Sequence, residues 1–120
     1  MVIYMRRQGF CPILLMDANG DPYTEKGKDK DLADFIEKAQ LCDPFHEMHP
    51  GQIRTFLYGN KCLDFALVDL ALKPCVKRAG YLGTHAAGES DHGMPFLDLD
   101  RRMAFAGIIN RPLPISHRSF

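Results

Sequence analysis

Ile13-Leu14-Leu15-Met16-Asp17-Ala18-Asn19-Gly20 is the stretch from which the fold is read. Four apolar residues in succession give way at once to an acid, a small residue, an amide and a glycine. A short continuous apolar run bounded by turn residues predicts a buried strand. Asp17 and Asn19 then stand where that strand leaves the core, and on an extended backbone residues two apart point to one face. A carboxylate and a carboxamide together at a strand end can hold a metal-bound water or a phosphate oxygen. The same D-x-N-G letters also suit a plain turn, so the reading depends on what the rest of the chain brings to that end.

The composition sets the limits. A length of 120 residues fits one domain or a piece of one. A hydrophobic content of 46% is enough for a core and argues against wholesale disorder. Lys plus Arg total 15 and Asp plus Glu total 15, which argues against a strongly basic protein that coats nucleic acid. It leaves room for an enzyme that touches only a few phosphates. No run of about 18 apolar residues occurs, so no membrane span is expected, and Met1 to Phe10 is too short and polar for a signal peptide. Cys11, Cys42, Cys62 and Cys75 are scattered, without a C-x-x-C pair. They read as reduced, mostly buried thiols of an intracellular protein rather than a zinc site.

Outward from the strand, Val2 to Arg7 predicts the last turns of a helix stopped by Gly9, as if the chain began part-way through a structure. Phe10 to Met16 is the first predicted strand and Asp17 to Lys30 a polar loop. Asp29 to Leu41 is the clearest helix, because Leu32, Phe35, Ile36 and Ala39 fall on one apolar stripe. Asp29 or Asp31 suits its first turn, and Asp43-Pro44 is expected to end it. Phe45 to Gln52 reads as irregular. Its His46 and His49 are three apart beside Pro50, where a helical zinc-protease motif needs four, so that reading fails. Ile53 to Tyr58 predicts a second strand, with Gly59-Asn60 as a hairpin turn. Cys62 to Val68 predicts a third, buried on both faces. Asp69 to Ala79 reads as a short helix limited by Pro74 and closed by Gly80. Tyr81 to Glu89 reads as a glycine-rich loop and Met94 to Leu97 as a last strand. Asp100 to Phe120 shows little pattern.

Three polar sets abut apolar runs: Asp17 with Asn19, Asp64 inside the third strand, and Asp91 with His92 after Ser90. A carboxylate inside a buried strand is costly unless paired. Asp64 therefore calls for either a core arginine or a histidine. Together the sets supply what phosphoester hydrolysis requires. That is carboxylates for a hard cation such as Mg²⁺, an amide to place water, and a histidine whose tautomer a buried acid can fix.

Leu15-Met16-Asp17-Ala18-Asn19, Thr55-Phe56 before a turn, Cys62-Leu63-Asp64-Phe65-Ala66-Leu67-Val68 and Ser90-Asp91-His92, in this order and spacing, resemble the C-terminal half of the endonuclease/exonuclease/phosphatase superfamily, the DNase I-like fold. The M-D-A-N-G form, A-G-Y-L before the S-D-H loop and F-L-D-L-D after it are most similar to the endonuclease domains upstream of reverse transcriptase in non-LTR retroelements. The resemblance covers about residues 1–100 and leaves 101–120 as a tail or linker.

The resemblance implies an α+β fold: part of a DNase I-like sandwich, mostly antiparallel sheet with flanking helices, its C-terminal half only. It implies Mg²⁺- or Mn²⁺-dependent phosphodiester hydrolysis on DNA. Asp17 and Asn19 would act at the scissile phosphate. Asp64 would be the partner of the catalytic His92, Asp91 a metal ligand, and Thr55 and Ser90 substrate contacts. Superfamily membership alone does not separate a nuclease from a phosphatase, and a non-catalytic remnant that keeps the fold is a further alternative. Phe65 replaces a usual tyrosine, and Gly93 replaces a side chain frequent after S-D-H. The family's first half brings a metal-binding Glu, an Asn and a Tyr, and no counterpart precedes Asp17. A half-sandwich is expected to leave an apolar sheet face uncovered, giving marginal stability, self-association through that face, or a fragment of a longer product.

Overall fold

In the computed structural model, which describes residues 2–23, 27–51, 54–59, 61–83 and 90–105, the apolar run forms β1, Ile13–Asp17. It pairs antiparallel with β3, Asp64–Asp69, with Leu15 opposite Ala66 and Asp17 opposite Asp64. A two-residue strand β2, Leu41–Cys42, lies on the far side of β3, giving the order β1-β3-β2. A second antiparallel sheet joins β4, Val76–Leu82, to β5, Met94–Leu99. The helices are α1 (Val2–Arg7), α2 (Lys28–Lys38), α3 (Pro44–Met48) and α4 (Arg101–Phe105), with a 3₁₀ turn at Leu70–Cys75. The chain is thus a small α+β domain of antiparallel sheets and a few helices. No helix among the described residues is long and apolar enough to cross a membrane.

The alternation of strand side chains sorts the core into two layers. On one face of the first sheet, Phe65 and Leu67 are almost wholly buried with Leu14 and Met16, against Leu32, Ile36 and Ala39 of the α2 segment. Full burial of one such side chain is worth about 1.5–3 kcal/mol. On the other face, Val68 and Cys42 meet Leu72, Cys75 and Val76, with Leu97, Leu99 and Ala104 packed around them. That layer stops short of β1, where Ile13 is 44% and Leu15 64% exposed. Arg6 of α1 ties the sheet to α2: it donates to Asp69 at 2.8 Å and to the Ala39 carbonyl at 2.6 Å.

Several expected boundaries move. The first strand starts at Ile13, not Phe10, and takes in Asp17. Asp43-Pro44 does not simply end a helix. Gln40, at φ +53°, turns the chain after α2, and Asp43 then caps α3 by accepting from the His46 amide, with Pro44 in the first helical position. The helix expected over Asp69–Ala79 is a 3₁₀ turn, capped by Asp69 on the Ala71 amide, followed by β4. A register shift between Val76 and Arg78 brings Val76 and Ala79 to the buried side although they are three apart, so a bulged strand carries a helical spacing. Of the strand expected over 53–58, the described part makes one isolated bridge, Phe56 to His92. Ile53, Asn60, most of the loop expected over 81–89 and the tail beyond 105 lie outside the described residues.

The cysteines are free. Burial pushes the Cys42 thiol up to about 11, which suits an inert core residue.

Candidate functional site

Pairing sets the site. Because Asp17 lies opposite Asp64 in the β1–β3 register, two carboxylates stand side by side where both strands leave the core. Antiparallel neighbours of this kind have Cβ atoms about 4.5–5.5 Å apart. The third element is the 90–93 segment. It is fastened to residues 55–57 by the Leu57 amide on the Asp91 carbonyl at 2.7 Å and the Gly93 amide on the Thr55 carbonyl at 2.6 Å. Ser90 Oγ accepts from the His92 amide at 3.1 Å. The Phe56 ring lies 4.9 Å from the His92 ring, tilted by 40°.

His92 Nδ1 thereby comes to 2.8 Å from Asp64 Oδ2 and 3.1 Å from Oδ1. Histidine, not arginine, is the partner of the buried strand acid. An ionised carboxylate only accepts hydrogen bonds, so Nδ1 carries the proton. Nε2 then faces the open side, 3.9 Å from Asp17 Oδ2 and 3.9 Å from Asp91 Oδ1. The hydrogen bond to Asp64, with the negative charge of Asp64, Asp17 and Asp91, raises the His92 pKa above its ordinary value, against an opposing effect of desolvation. Asp64 itself is 7% exposed. Its backbone is held as firmly as its side chain: the amide donates to Thr55 Oγ1 at 3.1 Å and the carbonyl accepts from Tyr81 Oη at 2.7 Å. Burial raises the Tyr81 pKa, so the phenol keeps its proton and remains a donor.

Asp17, Asp64 and His92 offer ligand atoms that all lie within 4.8 Å of one another. Asp64 is already committed to Nδ1. The half-exposed carboxylates of Asp17 and Asp91 each lie 3.9 Å from Nε2. Oxygen donors with open sides suit Mg²⁺ or Mn²⁺, which keep part of their water shell. Even with His92 protonated, three carboxylates and one imidazolium leave the site negative, so a phosphate needs a cation to enter.

The other expected residues divide. Asn19, at φ +52°, places its amide 3.0 Å from Asp17 Oδ1, so the D-x-N stretch is both an Asx turn and the rim of the site. Thr55 is 3% exposed and turns inward. Gly93 has a steric reason: a Cβ there would lie 3.3 Å from the Leu82 carbonyl oxygen and 3.7 Å from that of Thr55. Sequence reasoning missed Tyr81 and Phe56 as supports. Tyr81 opens the stretch that reads as a glycine-rich loop, so nothing marks it as a support. His46 stacks on Tyr23 at 3.8 Å and His49 lies 4.9 Å from Phe45, both away from this cluster. Compared with known proteins, the chain matches no family model and no curated sequence.

Proposed function

We propose that this chain is part of a DNase I-like endonuclease/exonuclease/phosphatase domain, of the kind that accompanies reverse transcriptase in non-LTR retroelements, and that it hydrolyses phosphodiester bonds in DNA with Mg²⁺ or Mn²⁺. The observation that carries the reading is the convergence of Asp17, Asp64, Asp91 and His92, from three separate stretches of sequence, on the open end of β1 and β3. A bound divalent cation supplies positive charge beside the phosphoryl oxygens. Asp91 would hold it, and Asp17 would act at the scissile phosphate. Asp64 orients the His92 ring and stabilises its charged form. Nε2 of the imidazolium can donate to a phosphoryl oxygen as charge builds there, and Asn19 would place the attacking water. An intracellular setting accords with the free cysteines.

The test is nicking of supercoiled plasmid by the purified chain in Mg²⁺ and in Mn²⁺, with His92→Ala as control. Metal-dependent nicking that disappears in the control supports the reading. Nicking that persists in His92→Ala, or that needs no metal, overturns it.

A second reading, a domain incomplete by itself, is favoured by β1. Its outer edge has no neighbouring strand among the described residues, and Ile13 and Leu15 are exposed on its face away from α2. In this reading the chain gains full activity only with a further sheet element or a second copy on that edge. Dependence of nicking rate on more than the first power of protein concentration is the expected sign.

A further inference from the structure

Thr55 is bonded to Asp64 directly and to the residue that follows His92. Its Oγ1 accepts from the Leu63 amide at 2.8 Å and from the Asp64 amide at 3.1 Å. Its own amide donates to the Lys61 carbonyl at 3.2 Å, and its carbonyl accepts from the Gly93 amide at 2.6 Å. A hydroxyl oxygen has two acceptor positions, and two backbone amides fill them. The residue is 3% exposed, which is a poor place from which to meet a substrate.

The other supports act on one partner only. Tyr81 holds the Asp64 carbonyl, whereas Ser90 holds the His92 amide and Phe56 lies against its ring. The segment that carries His92 is fastened to 55–57 by one isolated bridge rather than by a strand, so its distance from Asp64 depends on few bonds. A hydrogen bond at 2.8 Å has little slack, since a movement of about 0.7 Å takes it to the edge of bonding distance.

We propose that Thr55 is the positioning residue that fixes the separation of Asp64 and His92, and with it the tautomer of His92. The proposal builds on the hydrolytic reading of the same site, but it is tested without metal or substrate, so the two can fail separately. The measurement is the long-range ¹H–¹⁵N NMR spectrum of the His92 imidazole in the metal-free full chain. The unaltered chain is expected to show the neutral ring protonated at Nδ1, as Asp64 requires. In Thr55→Val, which keeps the shape but loses the acceptor, the ring is expected to revert to the Nε2-protonated form that an unconstrained histidine favours, while circular dichroism shows the fold retained. Thr55→Ser is expected to restore the Nδ1 form. A folded Thr55→Val chain that keeps the Nδ1 tautomer overturns the proposal. If Thr55→Val does not fold, amide exchange in the unaltered chain decides. The amides of Leu63, Asp64 and Gly93 opening as one unit supports the assignment, and Gly93 opening independently of the other two overturns it.

Discussion

His92 turns one ring nitrogen onto Asp64, 2.8 Å away, and leaves the other facing the open side of the site. The buried acid thereby sets which nitrogen is free. Replacing Asp64 by Asn offers Nδ1 an amide in place of a charge and removes the stabilisation of the imidazolium. Asp64→Asn is expected to lower kcat for plasmid nicking by about 10²–10⁴-fold, the usual range for a general acid–base contribution. His92→Ala is expected to lower it at least as far. A plasmid-nicking time course at saturating metal checks both.

The raised pKa of His92 gives a signed pH dependence. The unfolded histidine titrates near about 6.5, and in the folded chain the hydrogen bond to Asp64 holds the proton more tightly. The resulting stability is fully present below the unfolded pKa and is lost as pH rises through the folded one. Thermal unfolding of the metal-free chain, followed by circular dichroism, is expected to show a midpoint that falls from slightly acid to mildly alkaline pH. The fall should be smaller in His92→Gln. Equal slopes in the two proteins would contradict the assignment.

The carboxylates are expected to bind the cation at a cost in stability. Asp91→Ala should weaken Mg²⁺ or Mn²⁺ binding, read by titration calorimetry, by about 10- to 100-fold or more, since the loss of even an outer-shell partner has that effect. The same change relieves repulsion among Asp17, Asp64 and Asp91. The metal-free Asp91→Ala chain is therefore expected to unfold at a temperature no lower than the unaltered chain. Undiminished binding would remove Asp91 from the site.

Phe65 is 0% exposed in the layer under α2. Phe65→Ala is expected to cost about 3–5 kcal/mol, a large part of the stability of a domain this small. Urea titration should show it unfolded or nearly so under conditions where Phe65→Leu remains folded.

Leu15 is 64% exposed on the outer strand. A lysine there touches no core residue and puts a charge on the open edge, a device that blocks strand pairing. Leu15→Lys is expected to change stability by no more than about 0.5 kcal/mol and to shift sedimentation at high concentration toward the monomer. Unchanged association would place any self-contact elsewhere.

The elements legible in the sequence are those whose pattern and partners are local. β1 and β3 are continuous apolar runs with sharp polar ends, and α2 shows its stripe directly. Val76–Leu82 was not legible as a strand because its bulge imitates helical spacing. Asp43-Pro44 reads as a stop although it equally begins α3, because a cap and a break use the same residues. In the site, the proximity of Asp17 to Asp64 follows from strand pairing. The residues alone leave arginine or histidine open as the answer to the buried charge of Asp64, since the partner is 28 positions away; the resemblance points to His92. The substrate contact at Thr55 is implied by the resemblance alone, and a threonine in a strand gives no sign of which side it faces.

The outer strand has a practical bearing on how the site is dissected. Within Ile13–Asp17 the only charge is Asp17, at the end of a stretch whose exposed apolar side chains invite aggregation. The carboxylate proposed to act at the phosphate is thus also placed as a gatekeeper of this strand. Asp17→Asn removes both at once, so inactivity in that variant can reflect protein lost to precipitation. His92 and Asp64 lie off that edge, so variants there test the proposed chemistry without removing the charge on this strand.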